Sequence, residues 1–312
     1  MKVRRYTMEK LSSKHTFLFS IIFTTIFMGS SFPTGKYLIS VDCTPPFYIG
    51  GWRFLIAGLL MLLITLVLRG WRPLVPASNQ NITKGIILVI VIGLLQTAGT
   101  MGFLNLSMAK GLSSSMSSII LFTNPLWLAF LAHFLLNDKL TKLKVLALFL
   151  GITGVVICLG LDKSTLGIGA FYALLGSLCW AVNTVVTKMV AFDKGPWVLT
   201  GWQLFIGGFI MLIISAVSNE HYHIFDLSFF GWFNLIWLII PASIGSFGLW
   251  FLSLRIGGAT VASSFLFLVS VSSTIFSIIW LHEKFTFSLV IGGLFVVIAL
   301  IIVNHHSAQS NE

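Results

Sequence analysis

Uncharged apolar runs recur between residues 17 and 303, separated by short polar breaks. Each run is near the ~20 residues that an α-helix needs to cross about 30 Å of hydrocarbon. The pattern predicts helices over 17–39, 47–68, 85–106, 113–136, 143–161, 168–190, 197–217, 230–254, 258–281 and 286–303. The breaks carry turn chemistry: Pro45-Pro46, Arg72-Pro73 through Asn81, Asn137-Asp138-Lys139, Asp162-Lys163, Gly195-Pro196, Ser218 through Asp226, and His282-Glu283-Lys284. The expected fold is an all-α polytopic membrane protein with ten transmembrane helices. A basic arm (1–16) precedes the first run and a short tail (304–312) follows the last. An arm of this kind can begin a secretory signal, but the first run has a counterpart later in the chain and so belongs to the fold.

Two stretches are nearly alike. Gly51–Ile64 reads GWRFLIAGLLMLLI and Gly201–Ile214 reads GWQLFIGGFIMLII, with seven of fourteen positions identical. Shared Leu and Ile are cheap in apolar segments, but the matched Gly-Trp pair, Gly58 with Gly208, and Pro46 with Pro196 are not. Further matches run in the same order: Met28–Lys36 with Trp180–Lys188, Leu106–Ser118 with Leu252–Ser264, and Asp138-Lys139 with Glu283-Lys284. Periodicity on this scale signals internal duplication. The expected units are a first repeat over 17–161 and a second over 168–303. Five helices per repeat is an odd number, so the second must enter the membrane from the opposite face, as inverted repeats do.

Composition agrees with the pattern. Charged residues make up 9% and hydrophobic ones 57%, with mean hydropathy +0.98, whereas soluble domains carry about 25% charged residues. The net charge of +10 would suggest nucleic acid in a soluble chain; here the basic residues sit in short loops and no nucleic-acid partner is expected. Fourteen of the 19 Lys and Arg fall on the side of the N-terminus, against Lys36, Arg53, Lys110, Lys163 and Lys284 on the other. That bias predicts cytosolic termini, in a plasma membrane. Cys43, Cys158 and Cys179 form no CxxC or Cys/His cluster, so no metal, cofactor or disulfide framework is expected. HExxH, GxSxG and GxxxxGK[ST] are absent, which argues against an enzyme and against ATP hydrolysis by this chain. All nine acidic residues lie in loops, ends or tails.

Several polar residues stand inside the apolar runs. Lys36 and Lys188 occupy matching positions at the exit ends of their helices; they either snorkel to the headgroups or guard two mouths and bind a substrate carboxylate. Arg53 lies ~10 Å beyond Pro46 at 1.5 Å per residue and either anchors headgroups or binds an anion; Gln203 replaces it in the second repeat. Asn124, Gln96, Asn183 and Ser31 are candidates for interhelical hydrogen bonds or for a pocket. Trp180 and Asn183 share a helical face and form the favoured pocket wall. Pro33, Pro125 and Pro241 are expected to break their helices, which membranes tolerate only beside protein or a water-filled cavity. His133 is a structural residue or, as the intramembrane group that titrates near neutrality, a coupling group. The serine run 113–118 and the Gly257–Ser264 run suit close helix packing.

MGSSFPTGK (Met28–Lys36), PPFYIGGWR (Pro45–Arg53), Asn124-Pro125 and NDK (Asn137–Lys139), with WAVNTVVTK (Trp180–Lys188), GPWVLTGWQ (Gly195–Gln203) and HEK (His282–Lys284), resemble the drug/metabolite transporter superfamily. The likeness is to its ten-helix type with two EamA-like repeats, over roughly 17–303. Met28 stands where that pattern has Trp, Ala181 where it has Gly, Gln203 where it has Arg, and Ser270-Val271 where it has Asn-Pro. The resemblance implies export or exchange of small metabolites such as amino acids. It also implies a central cavity lined by helices 1, 3, 4, 6, 8 and 9. The expected partners are a small-molecule substrate and the lipid bilayer, with a possible homodimer. A neutral or zwitterionic substrate fits better than a nucleotide sugar or organic phosphate, which would need several converging cations. A non-transporting scaffold would not need duplicated polar residues at matching depth.

Overall fold

The computed structural model describes residues 2–135, 141–159, 167–190, 192–284 and 286–309. Asn137-Asp138-Lys139, Asp162-Lys163 and residues 310–312 of the tail lie outside them. Among the described residues every regular element is helical: α1 (Lys2–Ser40), α2 (Pro46–Arg69), α3 (Ile82–Ile92), α4 (Gly102–Ala109), α5 (Ser114–Leu121), α6 (Asn124–Leu135), α7 (Lys142–Leu159), α8 (Ile168–Met189), α9 (Pro196–Val217), α10 (Phe229–Ile239), α11 (Ser246–Ser264), α12 (Phe267–Leu281) and α13 (Phe287–Gln309). Seven of the resulting spans are long and apolar enough to cross a membrane, and three shorter apolar helices run over Val145–Cys158, Phe267–Leu281 and Phe287–Ala299. Each expected span overlaps one of these. The protein is a multi-pass membrane protein.

The prolines behave in three different ways. Pro33 does not break α1, which runs on to Ser40. Neighbouring hydroxyls add a second donor to nearby carbonyls: Ser30 donates to Phe27 O, Ser31 to Met28 O and Thr34 to Ser30 O, while the carbonyl that loses its N–H partner to Pro33 is that of Gly29. The fourth span does break, at Phe122 and Thr123, and Pro125 sits in the first turn of α6, where its missing N–H costs nothing. Pro241 opens a stretch of π-helix, Ile240–Gly245, that joins α10 to α11. A second π stretch, Gly93–Met101, joins α3 to α4. Such wide turns are uncommon and often mark functional sites. Gly258, with φ of 77°, turns the chain at the foot of α11, where only glycine is unstrained.

Packing between the halves follows the duplication. α2 lies along α9, and α7 along α13. α1 packs on α12 and α11, while α8 packs on α6 and α4. The first π stretch meets α9, and the second meets α2. Exchanging the halves turns each of these pairs into another on the same roll. At the α2–α9 crossing the exchange holds residue by residue. A Cβ on Gly58 would run into Phe205 N and Gly201 O; one on Gly208 would run into Leu55 N and Gly51 O. Small residues let backbones approach this closely in lipid, where dispersion rather than water drives association. Gly154 on α7 and Gly292 on α13 press on each other's carbonyls in the same way.

Loops tie the halves at both ends. Asp193 accepts from the backbone N–H groups of Asn79 and Gln80 at 3.2 and 2.9 Å, just before α3. Asp42 accepts from Ser228 Oγ at 2.9 Å, and Ser228 caps α10 by accepting from Gly231 N. Glu220 accepts from Tyr48 N at 3.0 Å.

Candidate functional site

The polar residues expected inside the membrane converge in part. Asn183 on α8 donates through Nδ2 to Gln96 Oε1 in the first π stretch at 2.9 Å. The π turn places Gln96 on the face of its span that meets α8. Asn183 is only 7% exposed, and its Oδ1 is buried with no partner. A buried polar atom without a partner costs roughly 1–3 kcal/mol and marks a position worth explaining.

One turn towards the start of α8, Trp180 meets Phe122 edge-on at 5.5 Å between ring centroids. Phe122, at the break in the fourth span, also lies 6.3 Å from Phe32 of α1. Trp180 itself is half-buried, as are Met28 and Met101, which pack on the same core. Asn124, 8% exposed, begins α6 two residues after Phe122, and its side chain makes no hydrogen bond among the described residues. The aromatic pair and the amide pair therefore share α8, with helix breaks on both sides. That combination of apolar walls and a few oriented polar groups is what small-molecule sites use.

Other candidates fall elsewhere. Ser31 is half-buried and spends its hydroxyl on Met28 O at 2.6 Å. Gln203 is buried, and its carbonyl accepts from Thr97 Oγ1 of the first π stretch at 3.2 Å. Arg53 donates from Nε to Ser243 Oγ of the second π stretch at 3.3 Å, with its guanidinium over the Phe54 ring. His133 is half-buried on α6 with its ring 4.9 Å from that of Phe134. Neither Ser243 nor Phe122 stood out in the sequence. Pro241 was the nearest signal for the first, and the Asn-Pro break for the second.

The lysine pair divides. Lys36 donates to Met108 O at 2.6 Å, joining the end of α1 to the end of α4. Lys188 is exposed. Beside Lys36, Glu283 takes four hydrogen bonds from the start of α5: Ser114 N and Oγ reach Oε1 at 2.7 and 2.6 Å, and Ser115 N and Oγ reach Oε2 at 3.3 and 2.7 Å. Ser114 Oγ also meets Ser277 Oγ of α12 at 2.7 Å. The serine run thus does more than pack: it hydrogen-bonds one end of the fourth span to the segment after α12. A cavity of about 300 Å³ opens beside this seam, with Lys110, Glu283 and Lys284 on its wall. Among the described residues no group of His, Cys, Asp and Glu could hold a metal.

Helices of this length and hydropathy define a class, the multi-pass helical membrane proteins. The EamA-like transporter family matches residues 15–160 and again 167–305, and the chain belongs to that family, whose members are transporters and not enzymes. It is similar to a chloroplastic WAT1-related protein of Arabidopsis thaliana, 29% identical over 89% of this chain and 67% of that one. It is similar also to the uncharacterized transporter YoaV of Bacillus subtilis, 24% identical over 89% of this chain and 93% of that one. Protein PecM of Dickeya dadantii is 25% identical over 77% of this chain and 86% of that one. A crystal structure at 16% identity superposes with a TM-score of 0.61 over 96% of this chain and 99% of that one, a likeness of fold alone.

Proposed function

We propose that the protein is a secondary transporter of the plasma membrane, with both termini cytosolic, that exports small neutral or zwitterionic metabolites such as amino acids or drug-like compounds. In this reading the chain crosses ten times, as inverted five-helix repeats over 17–161 and 168–303, and works by alternating access. The paired family matches and the exchange of contacts between halves support the repeats. The observation that carries the site is the Asn183–Gln96 pair, one turn from Trp180 and flanked by helix breaks, with an acceptor left over on Asn183. Inverted-repeat carriers bind substrate near the midplane between their repeats. The four bonds to Glu283 and the docked Lys36, against the exposed Lys188, support a conformer closed on the Glu283 face.

Metabolites released by cells expressing the parent protein, or Trp180→Ala with Asn183→Ala, test this. One metabolite class should rise in the medium with the parent alone. A rise with both proteins would keep transport and remove this pocket. No rise over empty vector, with the protein verified in the membrane, would count against export.

A further inference from the structure

Arg53 stands seven residues inside α2, beyond Pro46. Its guanidinium carries five N–H donors. Nε–H meets Ser243 Oγ at 3.3 Å, and that hydroxyl gives its own hydrogen to Leu238 O at 2.7 Å, leaving lone pairs for Nε. The guanidinium carbon lies 4.5 Å from the centroid of Phe54. Phe54 is buried in the same core cluster as Phe32 and Phe122, so the guanidinium lies against the core.

No acceptor meets its Nη hydrogens among the described residues, and no carboxylate pairs with it. Asp42 Oδ1 accepts from Ser228, Asp193 from Asn79 and Gln80, Glu220 from Tyr48, and Glu283 from α5. Nor are those hydrogens sealed in: Arg53 is half-buried, and its nitrogens are not among the buried unpartnered atoms. Ionisable residues within membranes are costly and by default call for a partner. Packing does not demand this one, because Gln203 fills the matching position of the other half and meets Thr97 through its backbone alone.

We infer that Arg53 anchors a single carboxylate on the transported molecule. This rests on the transporter reading above and narrows it from neutral or zwitterionic solutes to zwitterions that carry one carboxylate, such as amino acids. One planar fork matches one carboxylate in two parallel bonds. An organic phosphate would need further cations, but Lys36 is engaged with Met108 O and Lys188 is exposed. A lipid phosphate offers similar anionic oxygens, and the test separates the two.

Thermal unfolding of the purified full-length protein is followed with common amino acids and short monocarboxylates, each beside its carboxamide. At least one acid should raise the midpoint while its amide does not. Arg53→Gln, which installs the residue found at the matching position, should weaken that acid by about tenfold or more, as losing a charge-assisted hydrogen bond does. Arg53→Lys keeps the charge without the fork and should fall between, which guards against a Gln variant that fails to fold. An amide that stabilises as well as its acid, an acid bound equally by Arg53→Gln, or no stabilising carboxylate would each overturn the inference. In a parallel arm, phosphatidylglycerol is added in place of the acids. A midpoint rise there alone, erased by Arg53→Gln, assigns Arg53 to lipid and also overturns it. Export by the parent that survives Arg53→Gln unchanged would remove the anchor while leaving the transporter reading intact.

Discussion

The two halves agree where backbone meets backbone and differ where side chains carry charge. Gly58 and Gly208 make the same contact in exchanged roles. Along the same two helices Arg53 matches Gln203 in position, and the indole N–H of Trp202 donates to Leu74 O at 2.8 Å while the buried indole N–H of Trp52 has no partner. Near the helix ends Lys36 is docked and Lys188 is exposed. The close helix crossing presents the same contact from each half. Polar groups differ between the halves, so the interior of the protein is chemically lopsided on a nearly even frame.

The shared crossing gives the largest test. Gly58→Leu and Gly208→Leu should each cost about 3 kcal/mol, since side chains are forced into backbone that cannot yield, and thermal unfolding should place the two variants level. A clear gap between them would break the equivalence of the halves. Next comes the seam at one end of the fourth span. Glu283→Ala leaves the N–H groups of Ser114 and Ser115 without their acceptor and should cost about 2 kcal/mol, the scale of hydrogen bonds to a charged group. It should also expose a cysteine introduced at Ser31 to a membrane-impermeant thiol reagent from the Glu283 face; unchanged labelling would deny the seam a part in closing that face. Smaller is the amide pair. A double-mutant cycle of Asn183→Ala and Gln96→Ala should return a coupling of about 0.6 kcal/mol, the average for hydrogen bonds within membranes, and zero coupling would remove the contact. Smallest are the lysines: Lys36→Met should lower the unfolding midpoint slightly, and Lys188→Met should leave it unmoved.

Much of the frame is legible in the sequence because hydrocarbon thickness sets helix length and apolar runs report it directly. The expected 47–68 and 197–217 correspond to Pro46–Arg69 and Pro196–Val217, since proline starts and polar stops fix their ends. Gly58 with Gly208 was visible as a match, though not as a contact. The π stretches were not legible, because one extra residue per turn leaves hydropathy unchanged while rotating everything after it. That rotation decides which residues of a span meet the neighbouring helices, so Gln96 reads as a polar residue at depth but its bond to Asn183 does not. Pro33 misled because a proline removes a single N–H, the one that would reach Gly29 O, and α1 continues past it to Ser40. Glu283 read as a loop acid, and only the fold brings it to Ser114 and Ser115, 169 and 168 residues away in the chain.

The glycine crossing has the geometry of a fulcrum. Where two backbones touch with no side chain between them, a small tilt disturbs no rotamer and opens no void at the contact. Displacement then grows with distance along the lever, leaving the middle nearly still and carrying the ends farthest. The residues best placed to register such a tilt lie far from the crossing, and near the ends of the neighbouring α1 and α8 Lys36 and Lys188 already differ, one docked and one exposed.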